Sequence, residues 1–385
     1  MRGQTTAPTR FRWHPNPFQM QIPPDARIEA LRARMSRGAP EKLRRLLLDA
    51  LVEAGRYEEA IALADQSGIA SGTDTRWDIN LATALERAGQ SEAAAVYAAA
   101  AVAAAPTDSG VALFRVGLLI RRRDASALLA LDDLIDRFHV RLSPAMLKLL
   151  RDQRGIAYLC ALAEQRPDLF RPGDQAELAI IRAVLAGRPE SVDPMMDVDR
   201  LVRREVLCLG DADAMTRLGR EIESLPRVAA DPNSDATAAG LKMGAIPPRS
   251  ERIDRALAAI RDAVERHCEA LAQLGCYPAM PRDIVLKAWT VVLAKNGRAL
   301  SHNHPAGCLS GVLYVATPAV TVEAGALLMP LPPAGVDDWP WPTRTLVPGA
   351  GELILFPSYF RHATLPHDSD DARISIAFDI LPSLQ

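Results

Sequence analysis

The chain of 385 residues is poor in cysteine, in aromatic residues and in net charge. Its five cysteines, Cys160, Cys208, Cys268, Cys276 and Cys308, form neither a CxxC pair nor an even set. That argues against a disulfide framework and points to a reducing cytoplasm. A formal net charge of -2 supplies no global attraction to nucleic acid or to an anionic membrane. No run approaches the roughly 20 apolar residues a membrane helix needs, and the Ala-rich stretch from Ala93 to Ala105 is too short and too weakly hydrophobic. The N-terminus lacks the apolar core of a secretory signal, because Thr9 to Pro24 mixes Arg, Pro, Asn and Gln. The expectation is a cytoplasmic protein with no nucleic-acid and no membrane partner.

What is present is ordinary globular composition, 49% hydrophobic and 24% charged, in a chain long enough for two or three domains. The first 46 residues are the local exception, with ten Lys/Arg against three Asp/Glu. Residues 1–24, with Pro15, Pro17, Pro23 and Pro24 among polar neighbours, are expected to form a flexible basic arm without regular structure. Helical periodicity follows: Ile28, Leu31 and Met35 share a stripe, and Leu46, Leu47, Ala50 and Leu51 continue it. Gly55-Arg56-Tyr57-Glu58-Glu59-Ala60 recurs as Gly89-Gln90-Ser91-Glu92-Ala93-Ala94, 34 residues later, which is the tetratricopeptide period. In the second copy Leu85, Gly89, Ala94, Ala98, Ala101 and Pro106 stand where that repeat places packing residues and its closing proline, so the chain resembles the tetratricopeptide class here. One period on, Arg123-Asp124-Ala125 has no glycine. Residues 25–225 are expected to form a tetratricopeptide-like α-helical solenoid, the Ala-rich helix packing tightly against its neighbours.

From Pro226 to Ser250 the composition turns to Pro, Asp, Asn, Gly and Ser, which reads as a connector. Ile253 to Leu274 returns to helix, with Ile253, Leu257, Ile260, Val264 and Cys268 on one stripe. After Pro281 the period becomes two. Strand-like runs, Ile284 to Ala294, Val312 to Val315, Gly351 to Tyr359 and Arg373 to Ile380, alternate with Gly/Pro turns, the pattern of an antiparallel sandwich or barrel. Pro330 to Pro348 is expected to be a loop bordering the site.

Four of the seven histidines fall between positions 302 and 367. His302 and His304, two apart on an extended segment, point into one space while Asn303 faces away. His362 follows sixty residues later, and Arg373 and Ser375 share a face of the last strand. Non-haem Fe(II) commonly takes three protein ligands on one face; His302, His304 and His362 offer three imidazoles if their strands are neighbours. Arg373 can grip a carboxylate bidentately, with Ser375 adding a hydrogen bond, as a chelating 2-oxo acid requires. Tyr314 reads either as core or as a hydroxyl reaching the co-substrate. Trp289 reads as core, His367 as a surface residue, and Cys308 has no ligand spacing.

Several runs carry a family resemblance: Trp289-Thr290-Val291, His302-Asn303-His304-Pro305, Ser310-Gly311-Val312-Leu313-Tyr314-Val315, Leu355-Phe356-Pro357-Ser358, His362, Pro366 and Arg373-Ile374-Ser375-Ile376-Ala377-Phe378. They resemble the bacterial 2-oxoglutarate- and Fe(II)-dependent oxygenases, which often follow tetratricopeptide repeats. The resemblance is strong over residues 280–385 and weak over 230–280. It implies a C-terminal double-stranded β-helix (jelly roll) spanning 226–385, Fe(II) between the HxH turn and His362, 2-oxoglutarate held by Arg373, and O₂ as second co-substrate. The wider superfamily carries His-x-Asp or His-x-Glu before the distal histidine, whereas His304 stands at the acidic position here. The leading expectation is a hydroxylase acting on an unknown substrate, with a polypeptide held in the helical-repeat groove as the candidate class. The rivals are a repeat scaffold with a non-catalytic jelly roll, favoured by HxH in place of HxD, and a cupin-like metal enzyme that would leave Arg373 unexplained.

Overall fold

The computed structural model describes residues 12–18, 24–35, 40–225, 227–229, 237–245, 250–274, 283–318 and 323–382. The chain divides into two compact units, one of residues 21–162 with 166–169, the other of residues 1–20, 163–165 and 170–385.

The first unit is helical, from Pro24–Met35 through Glu41–Glu53, Tyr57–Ser67, Thr75–Arg87, Ser91–Ala104, Ser109–Arg121 and Ala127–Arg137 to Pro144–Arg154 and most of Ile156–Gln165. Asp74 and Asp108 begin their helices by accepting the backbone N–H of Trp77 and Val111, each at 3.0 Å, which satisfies donors that a first helical turn leaves over. A 34-residue recurrence of backbone conformation shows at the helix ends. Gly55 (φ 73°) and Gly89 (φ 79°) are left-handed, and one period on Arg123 (φ 53°) holds the same conformation without being glycine. In each case the next N–H, of Arg56, Gln90 or Asp124, closes onto Leu51, Leu85 or Leu119. The backbone thus keeps the period where the sequence signal fades. Ala94, Ala98 and Ala101 form the buried stripe of the Ala-rich helix, and Ala98 packs with Ala82 and Leu118; residues this small let helices approach closely. No helix among the described residues is long and apolar enough to cross a membrane.

The second unit is built on an eight-stranded sheet: β1 (Arg12–Phe18), β2 (Arg203–Val206), β3 (Arg227–Ala229), β4 (Thr237–Ala245), β5 (Asp283–Ala299), β6 (Leu309–Ala316), β9 (Glu352–Pro357) and β11 (Arg373–Pro382). The spatial order is β2-β9-β6-β11-β5-β4-β3, and β1 runs parallel to β5. A three-stranded sheet joins β7 (Leu327–Met329), β8 (Arg344–Leu346) and β10 (Ala363–Thr364) in the order β10-β7-β8. Register fixes one face of the large sheet: Arg373 pairs with Leu293, Ser375 with Val291 and Tyr314, Ala377 with Trp289 and Val312, and Asp379 with Ser310. The alternate residues, among them Leu286, Val292, Leu313, Ile376 and Phe378, belong to a core shared with Ile253, Leu257, Ile260, Val264 and Cys268 of helix Glu251–Leu274. Each such fully buried aliphatic or aromatic side chain stabilises the unit by about 1.5–3 kcal/mol.

Three sequence expectations meet a different arrangement. The segment expected to lack regular structure contains β1, where Trp13 lies under the Arg261 guanidinium at 4.9 Å; the arm's other residues before Pro24 lie outside the described ones. The expected connector contains β3 and β4, which add to β5 through main-chain pairing. Residues 170–225, read with the repeats, pack in the core of the sheet through Ala176, Ile180, Leu201, Leu207, Leu218 and Ile222, and contribute β2 at its edge.

Candidate metal and anion site

His302 and His362 face each other across an antiparallel bridge, each backbone N–H donating to the other's carbonyl, at 3.1 and 2.9 Å. That pairing brings their ring centroids to 4.2 Å, and His304 stands 5.0 and 5.1 Å from the two. One ring nitrogen of each lies within 4.8 Å of the others. Every Nδ1 is already engaged: His302 with Leu300 O at 2.6 Å, His362 with Phe360 O at 3.0 Å, His304 with Asp379 Oδ1 at 2.6 Å. Because each of these partners accepts only, Nδ1 carries a proton, and in the neutral ring Nε2 keeps its lone pair. His304 Nε2 is buried without a partner. Burial, and then the neighbouring His304, lowers the His302 pKa to about 4. His362 lies well below its ordinary value for the same first cause, followed by His302 and His304. Both rings are neutral at pH 7, as ligation requires.

The loops that carry these rings are pinned from helix Pro172–Leu185. Glu177 accepts Asn303 Nδ2 at 3.2 Å and Arg361 Nε at 2.5 Å, so one carboxylate holds the residue between His302 and His304 and the residue before His362. Gly173 donates its N–H to Pro305 O at 3.0 Å, and a Cβ there would lie 2.7 Å from Pro305 Cα; only glycine permits this approach. Trp289 stacks on His304 at 5.7 Å and 19°, and Phe356 meets His362 edge-on at 4.8 Å.

Farther along the same face lies Arg373, 4% exposed, with Nε and Nη1 buried and lacking hydrogen-bond partners. Its guanidinium carbon sits 4.7 Å over the Tyr314 ring. The Tyr314 hydroxyl is also buried without a partner, and burial raises its pKa. A cavity of about 80 Å³ is lined by all three imidazoles and by Arg373, Ser375 and Tyr314.

All six candidate residues therefore border one cavity. Trp289, expected as core, is a wall of that cavity and touches His304. His367, expected at the surface, is 2% exposed, because its Nε2 binds Leu293 O at 3.2 Å and its carbonyl accepts Asn296 N–H at 2.7 Å. The Pro330–Pro348 segment includes β8, and Leu331 N–H donates to Arg361 O at 2.8 Å, next to His362. Asp379 and Glu177 were not singled out in the sequence. Period two along β11 puts Asp379 on the face of Arg373 and Ser375, a usable signal, whereas nothing local marks Glu177.

Residues 287–379 match the family model described as "Putative 2OG-Fe(II) oxygenase". No curated protein matches the chain. Among solved structures, a Pseudomonas putida prolyl-4-hydroxylase is similar at 18% identity over 49% of this chain and 96% of its own, with a TM-score of 0.35. HygX from Streptomyces hygroscopicus, with nickel and 2-oxoglutarate bound, is similar at 13% identity over 49% of this chain and 85% of its own, TM-score 0.34. A Trichoplax adhaerens prolyl hydroxylase in complex with a hypoxia inducible factor peptide fragment is similar at 13% identity over 52% and 92%, TM-score 0.35.

Proposed function

We propose that the 2-oxoglutarate- and Fe(II)-dependent oxygenase domain at residues 287–379 uses His302, His304 and His362 for its iron and Arg373 for its 2-oxoglutarate, and hydroxylates a polypeptide. The carrying observation is a buried guanidinium with Nε and Nη1 lacking hydrogen-bond partners, facing the same cavity as three imidazoles that share a possible metal position. The donor set fits both groups. Neutral imidazole suits iron. A buried cation without a partner is costly, and the distal carboxylate of 2-oxoglutarate would pair with it bidentately. Ser375 and Tyr314 line the same cavity and offer hydroxyls to that co-substrate.

When bound, Fe(II) supplies the redox chemistry that couples oxidative decarboxylation of 2-oxoglutarate by O₂ to hydroxylation of a C–H bond. The chain's own part is placement. The backbone bridge aligns His302 and His362 and the Nδ1 contacts fix all three rings, while Trp289 and Phe356 exclude water from the ring edges. We read the two sheets as the halves of a double-stranded β-helix, and the 34-residue recurrence of left-handed helix ends as tetratricopeptide-like repeats. Stacked helix pairs present an extended surface suited to a polypeptide, which supports that substrate class. A non-catalytic scaffold is the weaker reading, since it leaves the buried Arg373 charge without use.

Anaerobic loading with Fe(II), followed by O₂ and 2-oxoglutarate, should yield succinate from the full-length protein and not from His362→Ala. Absence of succinate in both, with or without offered polypeptides, would remove the oxygenase reading. A gain of one oxygen atom in an offered polypeptide, seen by mass spectrometry, tests the substrate class.

A further inference from the structure

His304 occupies the position where an acidic ligand would give the metal a negative charge, so a three-imidazole set starts one charge short. The carboxylate nearest that position comes from the last strand. Asp379 Oδ1 lies 2.6 Å from His304 Nδ1 and accepts the Ser310 hydroxyl at 2.7 Å. Ser310 Oγ lies 2.8 Å from Ser358 Oγ. Since Ser310 spends its proton on Asp379, Ser358 must donate to Ser310, and the donors converge on Asp379, Ser358 through Ser310 from one side and His304 Nδ1 from the other. The two ends of this chain are tied, because Ser358 O also accepts the His304 backbone N–H at 2.9 Å. The side chains of His304 and Asp379 are each only 13% exposed, so little water competes for the contact.

Register makes this placement obligatory. Asp379 pairs with Ser310 on β6, and both side chains rise from the face that carries Arg373 and Ser375. The neighbourhood is packed for it: a Cβ at Gly307 would come within 2.5 Å of Ser358 Oγ, so a side chain there would displace the serine. His302 and His362 differ in this respect. Their Nδ1 atoms bind neutral backbone carbonyls, and only the third ring is backed by an acid.

We propose that Asp379 is a positioning residue that returns the missing negative charge to the metal site by way of the His304 ring. The hydrogen bond fixes the ring with Nε2 toward the metal, and the anion raises the basicity of that nitrogen, as carboxylates behind ligating histidines do. Three imidazoles with a carboxylate behind one of them then stand in for two imidazoles and a direct carboxylate. The inference rests on the proposed metal role of His302, His304 and His362, and it adds a charge requirement located on β11.

The test is Co(II) titration of the full-length protein, followed by visible d–d absorption, with circular dichroism as the check on folding. Asp379→Asn keeps the size of the side chain and an acceptor oxygen but removes the charge, and is expected to weaken Co(II) about 10–100-fold. In a His304→Asp background the sign should reverse: a direct carboxylate ligand beside Asp379 suffers like-charge repulsion, so adding Asp379→Asn should tighten binding. Asp379→Glu, which keeps the charge, should lie nearer wild type than Asp379→Asn and serves if the latter fails to fold. A purely structural Asp379 predicts that Asp379→Asn acts in the same direction in both backgrounds, or has no effect, and either result overturns the proposal. Wild-type protein that binds no Co(II) overturns the metal reading itself, a distinguishable failure.

Discussion

At the imidazole end of the cavity the protein ties down one nitrogen of every ring, and at the guanidinium end it leaves two nitrogens open. Each of the three rings has its Nδ1 held by a carbonyl or a carboxylate. Arg373, 4% exposed, has neither Nε nor Nη1 satisfied. A metal needs ligands with fixed direction, so pre-set rings reduce the ordering cost of binding. An anion supplies its own acceptors, and an arginine already paired within the protein would have to give up that partner first. The contrast suggests that one end is organised before its ligand arrives, whereas the other is stabilised by it.

The largest effects should come from removing a ring. His302→Ala or His362→Ala should weaken Fe(II) more than about 100-fold in anaerobic titration, because a ligand is lost outright and not merely its support. Metal-free protein should also lose stability, since His362→Ala abandons the Phe360 carbonyl inside the protein at a cost of about 1–3 kcal/mol. Undiminished Fe(II) binding in both variants would end the three-imidazole assignment.

The guanidinium end should answer with the opposite sign in stability. Arg373→Met deletes a buried charge with two unsatisfied nitrogens, so the ligand-free melting temperature should rise, by about 2–4 °C for each kcal/mol relieved. The same change should raise the 2-oxoglutarate requirement roughly 30-fold or more, from a buried charge contact worth about 2–5 kcal/mol. Arg373→Lys should recover only part, lacking the planar fork. If Arg373→Met melts below wild type without ligand, the Tyr314 ring beneath the guanidinium already compensates the charge and the contrast fails.

A third effect separates the ends by pH. His302, held to about 4 by burial, and His362, also well below its ordinary value, are not protonated until well below the usual histidine range. Protonation of His302 or His362 should therefore not compete with Co(II) or Fe(II) until the pH falls below about 5. In metal-free protein the unfolded chain binds more protons than the folded one between the ordinary histidine value and about 4, so stability should fall as pH falls through that window. His267, lowered to about 4 by its burial, adds to the same slope. Asp174, raised to about 6 by burial, opposes it, because the folded state then holds the extra proton. His302 or His362 ring signals that titrate in the ordinary histidine range, followed by NMR in metal-free protein, would show solvated rings and contradict the geometry.

How much of this was legible in the sequence depended on the range of each signal. His302, His304, Arg373 and Ser375 stand out because period-two spacing is a local property, and the helix Glu251–Leu274 because its stripe is. The β4 sequence, rich in Ala and Gly, has weak strand propensity and becomes a strand through its ladder with β5, a partner that local composition does not reveal. Arg123 hides a left-handed helix end because the residue type does not advertise that conformation. Asp379 meets His304 across 75 residues, and that contact follows only from the β11 and β6 register. His367 looked like a polar turn residue until its ring and backbone were placed against β5.

Glu177 is the least legible of the site's supports, 126 residues from Asn303 and 184 from Arg361, and it gives the smallest and sharpest test of the contrast. It touches both loops that carry imidazoles and nothing at the guanidinium end. Glu177→Gln should keep the packing and weaken the Arg361 contact, while Glu177→Ala should leave both Asn303 and Arg361 without this acceptor. Because the rings keep their own Nδ1 partners, the expected loss of Fe(II) affinity is modest, about 3–10-fold for Glu177→Ala and less for Glu177→Gln. The affinity for 2-oxoglutarate, measured with metal saturating, should not change. Equal losses at both ends would mean that helix Pro172–Leu185 supports the whole cavity, and that the two ends are not separately built.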